Sequence, residues 1–461
     1  MPEDARAEAP VVTSERVAEF IRGSTFDALP DDVVHHAERC LLDLIGVAAA
    51  GTTTRLSAIA REYAAAHLCG QDYSARILFD GRRASCAGAA FAGAATIDSI
   101  DAHDGHALTK GHAGVAILPA LLALSDVRVE EAAPVDGQEL IASLVLGYEV
   151  ATRAGIALHS SVSDYHCSGA WNAIGCAAVA ARALGLGTGQ TGEALGIAEY
   201  FGPRGQMMRT CAAPSMVKDG SGWGAHAGIS AAWLAREGFT GAPAATIERD
   251  ELEPLWSDLG SRWRIREQYF KAYPVCRWAQ PAIEAALALQ RTHHFADQDI
   301  ATIKIETFDE AVLLGAERTL PRTTEDAQYS LTYPVAAALV FGDVGVGEIG
   351  PAALADPRVH RLVAATTLRV DRDFDRRFPA ERWSRAEIGL RDGRVLRSEP
   401  SRAQGDPDTP LSDDRLRGKF FALCDPVLGH PRAKRIEGLV SVLRDEARLE
   451  PLLDELLRVV R

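Results

Sequence analysis

Aromatic side chains make up only 7% of this 461-residue chain, although 47% of it is hydrophobic. Ala and Gly fill the gap, and such small side chains suit closely packed helices better than a β-sandwich. Paired cysteines are missing too. Cys40, Cys69, Cys86, Cys167, Cys176, Cys211, Cys276 and Cys424 are scattered with no C-x-x-C pair. That excludes a disulfide framework or a zinc site by spacing and reads as reduced thiols in a cytoplasmic protein. No Lys/Arg block occurs. Acidic residues number 63 against 49 basic ones, a formal net charge of −14, which argues against gripping nucleic acid or an anionic membrane. A basic pocket inside that acidic shell would still admit an anionic substrate.

Met1–Pro10 has no basic segment followed by an apolar stretch, so no signal peptide is read there. Apolar windows such as 114–124 and 175–186 are too short, or too polar at their edges, to span a bilayer. Gly-rich stretches such as 220–224 lack the preceding strand and the GxGxxG or GKT pattern, and no GxSxG or kinase signature appears. A nucleotide fold and an α/β-hydrolase are thereby set aside. The chain's length favours two domains.

Roughly the first 250 residues read as helices. Pro30-Asp31-Asp32 opens one that carries apolar residues at three-to-four spacing and stops at Gly51. Segments 87–100, 116–124, 138–157, 171–184, 191–200 and 225–236 behave alike. After about residue 265 the texture changes. Residues 301–308 and 366–371 alternate with period two, and 385–391, Asp392-Gly393 and 394–397 read as a hairpin. Helical pieces at 280–289 and 333–341 lie among them. A polar Pro/Gly loop follows at 399–411, and 412–460 is helical again. The expected fold is mainly α: a large all-helical domain (1–264 with a C-terminal return at 406–461) into which a smaller α+β lid domain (265–405) is inserted.

Only six of the basic residues are lysines: Lys110, Lys218, Lys271, Lys304, Lys419 and Lys434. Arg cannot release its proton at working pH, whereas burial tunes Lys. Lys218 leads through a Gly-rich stretch into a helix, and Lys271 sits in Phe270-Lys-Ala-Tyr-Pro-Val-Cys-Arg277. Neither setting resembles a solvated face. A second concentration spans 98–114, where Asp98, Asp101, His103, Asp104, His106, Lys110 and His112 are packed between two apolar helices. An acid–base cluster, a metal site and a loop of satisfied hydrogen bonds are all open readings, although H-x2-H-x5-H fits no zinc signature. Third, His166 precedes a small-residue helix whose N-terminus would favour a substrate carboxylate, or it merely packs there. Cys167 beside it is a poor thiol nucleophile for that imidazole, since adjacent residues rarely face one another.

These segments, with Asp43-Leu-Ile-Gly46, Gly147-Tyr-Glu-Val-Ala-Thr-Arg153, Ser215-Met-Val-Lys218, Lys271-Ala-Tyr-Pro274 and Tyr329-Ser-Leu-Thr-Tyr333, stand in the order seen in the MmgE/PrpD family, which the chain resembles from about residue 15 to 455. The resemblance implies a helical domain with an α+β lid, a homodimer, no metal and no organic cofactor. It also implies a small di- or tricarboxylate substrate bound between the domains. Carried over by motif, it implies catalytic roles for Asp101, His112, His166, Lys218, Lys271 and Tyr333; from their place in the polar cluster and after Lys271, His103, Asp104, His106 and Arg277 are expected to contact substrate. The chain departs from the family at His103-Asp104-Gly105-His106, and at Gln280, where many relatives have His. The expected chemistry makes or protonates an anion next to a carboxylate. Dehydration of a β-hydroxy acid comes first, with decarboxylation and epimerisation as alternatives. A non-catalytic binding protein keeping the fold, and a metallohydrolase using the His/Asp cluster, are the competing classes.

Overall fold

The computed structural model describes residues 13–130, 135–316 and 320–460. The N-terminal segment 1–10, on which the absence of a leader was read, lies outside them. The chain is mainly helical. Long helices at Asp31–Gly51, Cys86–Asp98, Gly114–Glu130, Gly137–Ser161, Gly169–Ala183 and Ser221–Arg236 form the large layer. Their ends follow local chemistry: Ser85 accepts from the Gly88 N–H and Asp136 from the Glu139 N–H, each capping its helix. Inside the bundle the helices touch through small residues. A side chain on Gly228 would meet the Ala173 carbonyl at 2.3 Å and Cys176 Cβ at 2.6 Å. This is what the Ala- and Gly-rich composition provides.

Gly137–Ser161 is long and apolar enough to cross a bilayer, but its apolar window is wholly buried inside the protein. That is the behaviour of a core helix. Two short antiparallel strands, Ser74–Arg76 and Arg83–Ser85, interrupt the region read as all helical.

A sheet dominates the middle segment. Ile300–Thr307 pairs in parallel with Thr366–Val370 and antiparallel with Trp383–Leu390, which pairs in turn with Val395–Arg397. Helices Gln280–His293 and Thr332–Phe341 lie with it. The segment read as a polar Pro/Gly loop also pairs: Ser401–Arg402 joins the sheet through Trp383 and Ser384.

Two apolar clusters result. One draws on residues 17–270 together with 411–457, and the other on 273–390 together with Cys167, Met207 and Cys211. The C-terminal helix Asp413–Leu428 returns to the first. There Lys419 Nζ donates to Asp43 Oδ1 and to the Ala102 carbonyl, both at 2.7 Å. Through that contact the end of the chain holds the polar 98–114 segment in place.

Candidate active site

Beside the second cluster lies a small, partly open cavity of about 30 Å³, lined by Asp101, His112, Asp219, Tyr269, Lys271 and Tyr329 among others. Its walls come from distant stretches of chain. Asp101 and His112 stand on the loop after the Cys86–Asp98 helix, Asp219 just before the Ser221–Arg236 helix, and Tyr269 and Lys271 at the crossing between the clusters. Gly105 pairs with Tyr269 in a two-residue antiparallel contact. A side chain at position 105 would meet the Tyr269 hydroxyl at 2.5 Å and His112 Nδ1 at 2.7 Å, so this approach requires glycine.

Lys271 is fully enclosed. Its ammonium donates to Asp101 Oδ1 at 2.7 Å and to the Asp101 carbonyl at 3.0 Å. An ammonium has three donors, so one remains for the cavity. Burial alone would lower this lysine, but Asp101 outweighs it and holds Lys271 above its ordinary value. The same partnership, with Lys218 helping, holds Asp101 low despite burial. Lys218, also buried, donates to Gln328 Oε1 and lies 4.6 Å from the centre of the Tyr329 ring. Tyr329 lines the cavity, and its buried hydroxyl has no partner.

His112 is oriented from both sides. Its Nδ1 lies against the Asp104 carbonyl and its backbone N–H donates to Ser168 Oγ at 3.1 Å. A proton on Nδ1 leaves the Nε2 lone pair free, with Asp219 Oδ2 3.9 Å away. Burial, and next the Lys271 charge, lower His112 below the usual 6.5, so the resting imidazole is neutral. Ser168 Oγ also donates to Asp219 Oδ1 at 3.1 Å, and the Asp219 N–H donates to Asp98 Oδ2 at 3.3 Å. Burial, reinforced by the Asp219 charge, pushes Asp98 well up.

Backbone strain marks the same place. Asp101, Lys110 and Lys218 all have positive φ, at 51°, 49° and 47°. Non-glycine residues rarely sit in that region, and they cluster there at functional sites.

Several expected residues sit elsewhere. Tyr333 is buried in the second cluster and its hydroxyl donates to the Glu348 carbonyl at 2.7 Å, while Tyr329 occupies the cavity wall. His166 is half-buried outside the cavity, with Nδ1 3.3 Å from the Arg204 carbonyl. His106 turns to Glu267, with Nε2 2.9 Å from Oε2. Asp104 accepts from the Tyr148 hydroxyl, and burial raises its carboxyl to about 7. It serves the site through its carbonyl. Arg277 lines the cavity while bound to Asp406 and, at 3.0 Å, to Gln280 Oε1. Gln280 also donates to the Tyr273 and Val275 carbonyls, bracing the loop after Lys271.

His103 is fully buried with neither ring nitrogen partnered, its ring 4.3 Å from that of His112. Asp101, His103 and His112 present ligand atoms within 4.8 Å of one another, a grouping that could geometrically hold a metal ion. However, Asp101 already carries the Lys271 ammonium, and a dication there would sit beside a fixed positive charge. Sequence reasoning singled out Asp98 only within its cluster, and it passed over Asp219 and Tyr329. Asp219 follows Lys218 directly and Tyr329 opens a motif already quoted, so both were within reach.

Residues 15–253 match the MmgE/PrpD N-terminal domain and 273–445 the MmgE/PrpD C-terminal domain. The chain belongs to the MmgE/PrpD family. Similar curated proteins include a cis-aconitate decarboxylase-like protein of Aspergillus oryzae, 26% identical over 92% of this chain and 93% of that protein. The cis-aconitate decarboxylase of Aspergillus terreus is 24% identical, over 96% of this chain and 95% of its own length. The human cis-aconitate decarboxylase is 26% identical, over 95% and 92%. Within this family, the mainly helical fold with a small sheet is the expected one.

Proposed function

We propose that the protein is a cofactor-independent lyase that cleaves a bond next to a carboxylate in a small di- or tricarboxylate. The observation that carries this is buried Lys271 beside neutral His112 in one polar cavity, with buried Lys218 4.6 Å from the ring of Tyr329 in its wall. Between decarboxylation and the dehydration ranked first on sequence, the relatives' names favour decarboxylation.

In that reading the substrate's carboxylates take the remaining N–H donors of Lys218 and Lys271. The C–C bond to one carboxylate breaks and CO₂ leaves. The electron pair shifts through the substrate's C=C, which moves one carbon, into the carboxylate at its far end as an enediolate-like anion. The two ammoniums, fixed and shielded from water, stabilise that charge, and one well-placed donor contributes about 3–4 kcal/mol. A proton then reaches the carbon. His112 is neutral at rest, but a bound polyanion offsets Lys271 and lifts the imidazole, which gains a proton with substrate and passes it on. The Tyr329 hydroxyl, unpartnered at the cavity wall, takes the catalytic role expected of Tyr333, here as a proton donor. Dehydration would use the same site with Nε2 of His112 as base.

The scattered thiols support a cytoplasmic setting, and the family resemblance supports a homodimer. The division into a helical unit and a lid follows the two apolar clusters. Metal independence is checked by assaying CO₂ release from cis-aconitate before and after chelation. Activity that survives chelation supports it, and a requirement for added metal refutes it.

A further inference from the structure

The lyase reading gives His103 nothing to do. The side chain is fully buried, and neither ring nitrogen has a partner. A neutral imidazole has one N–H to donate and one lone pair to fill, and polar groups left unmet in a protein interior are rare. The ring stands 4.3 Å from that of His112. Ligand atoms of Asp101, His103 and His112 lie within 4.8 Å of one another, and among the described residues no other three His, Cys, Asp or Glu side chains converge in this way.

The other two residues each have a lone pair to spare. Asp101 gives Oδ1 to Lys271, and among the described residues nothing donates to its Oδ2. His112 turns Nδ1 to the Asp104 carbonyl. That leaves Nε2 free and holds the ring as an outer carbonyl holds a ligating imidazole. Asp219 Oδ2, 3.9 Å from Nε2, adds negative charge. Two imidazoles and a carboxylate suit a divalent transition ion such as Zn²⁺, whereas Mg²⁺ and Ca²⁺ seek oxygen. Size agrees. The cavity that Asp101 and His112 line, at about 30 Å³, has room for one water or one ion.

The Lys271 ammonium decides what such an ion does. It holds Asp101 Oδ1 at 2.7 Å, so a dication must draw the carboxylate away from it. The ion also takes the His112 lone pair on which the proposed proton transfer depends. Bound ion and working site exclude one another. We infer that Asp101, His103 and His112 form an inhibitory site for a divalent transition ion. Only the inhibition rests on the lyase reading; the binding does not.

The test titrates the chelator-treated full chain with Zn²⁺ by calorimetry and with Co²⁺ by visible absorption, beside His103→Phe and Lys271→Gln. One equivalent of either ion should bind, with no thiolate-to-cobalt charge-transfer band. His103→Phe, which keeps a ring and loses the nitrogens, should weaken binding roughly tenfold or more. Lys271→Gln removes the opposing charge and should tighten it roughly tenfold. If that variant does not fold, His103→Phe decides alone. No binding, or binding by thiolates that ignores His103→Phe, overturns the inference. In parallel, one equivalent of Zn²⁺ should abolish CO₂ release from cis-aconitate. Binding as described with turnover unaffected overturns the inhibitory role. No turnover even before Zn²⁺ is added, beside the expected titrations, overturns the lyase reading and keeps the ion site.

Discussion

Buried charge is tolerated at this site because each charge has a partner. Lys271 and Asp101, 2.7 Å apart and both almost fully buried, illustrate the rule: removing one partner leaves the other uncompensated, at a cost of about 3–5 kcal/mol. Lys271→Ala should therefore lose both activity and stability. Lys271→Met combined with Asp101→Leu should recover much of the stability and none of the activity, which denaturant titration beside an activity assay would show. Titration gives a second prediction. His112 is held below 6.5 in the free protein and rises when a polyanion binds, so the complex carries more protons than the free species. Binding must then strengthen as pH falls through neutrality. Calorimetry in buffers of different ionisation enthalpy should detect proton uptake that disappears in His112→Gln. Uptake persisting in that variant would move the proton to another group. The two tyrosines also separate: Tyr329→Phe should lower turnover, whereas Tyr333→Phe should cost about 1 kcal/mol of stability through its lost hydrogen bond.

Among the elements, the helices of the large layer meet where glycine or alanine allows it. Gly228→Ala should cost about 1–3 kcal/mol by pushing the Ser221–Arg236 helix off Gly169–Ala183, measurable as a lowered denaturation midpoint. Helix spacing and caps made most of these elements legible from sequence. Asp31–Gly51, Gln280–His293 and Thr332–Phe341 start within a residue or two of the expected positions, and period-two alternation located the principal strands. The short strand pair at Ser74–Arg76 and Arg83–Ser85 escaped, because three residues are too few to show a period. The 399–411 segment read as a plain loop because its composition is polar and rich in Pro and Gly. Its ion pair from Asp406 to Arg277 joins residues far apart in sequence. The site was legible in the same uneven way. Lysine scarcity and the 98–114 polar density pointed to Lys218, Lys271, Asp101 and His112. The choice between Tyr329 and Tyr333, four residues apart on one motif, depends on where a helix begins.

At the scale of the molecule, the cavity is walled by Asp101 and His112 from the loop after the Cys86–Asp98 helix and by Met207, Cys211, Trp278 and Tyr329 of the second apolar cluster, so a ligand there ties the two parts together. The protein should gain about 2.7 kcal/mol of stability at a hundredfold excess of ligand over its dissociation constant, visible as a raised melting temperature. The central claim is bond cleavage next to a carboxylate by Lys218, Lys271 and His112. Its most direct test is proton NMR of the chelator-treated protein with cis-aconitate in D₂O, compared with Lys218→Ala and His112→Gln. The account predicts loss of one carboxylate as CO₂ with deuterium appearing on the carbon next to the carboxylate that took up the electron pair, slowed roughly 10²-fold or more in each variant. Unchanged acids, or turnover equal in the wild type and both variants, would contradict it.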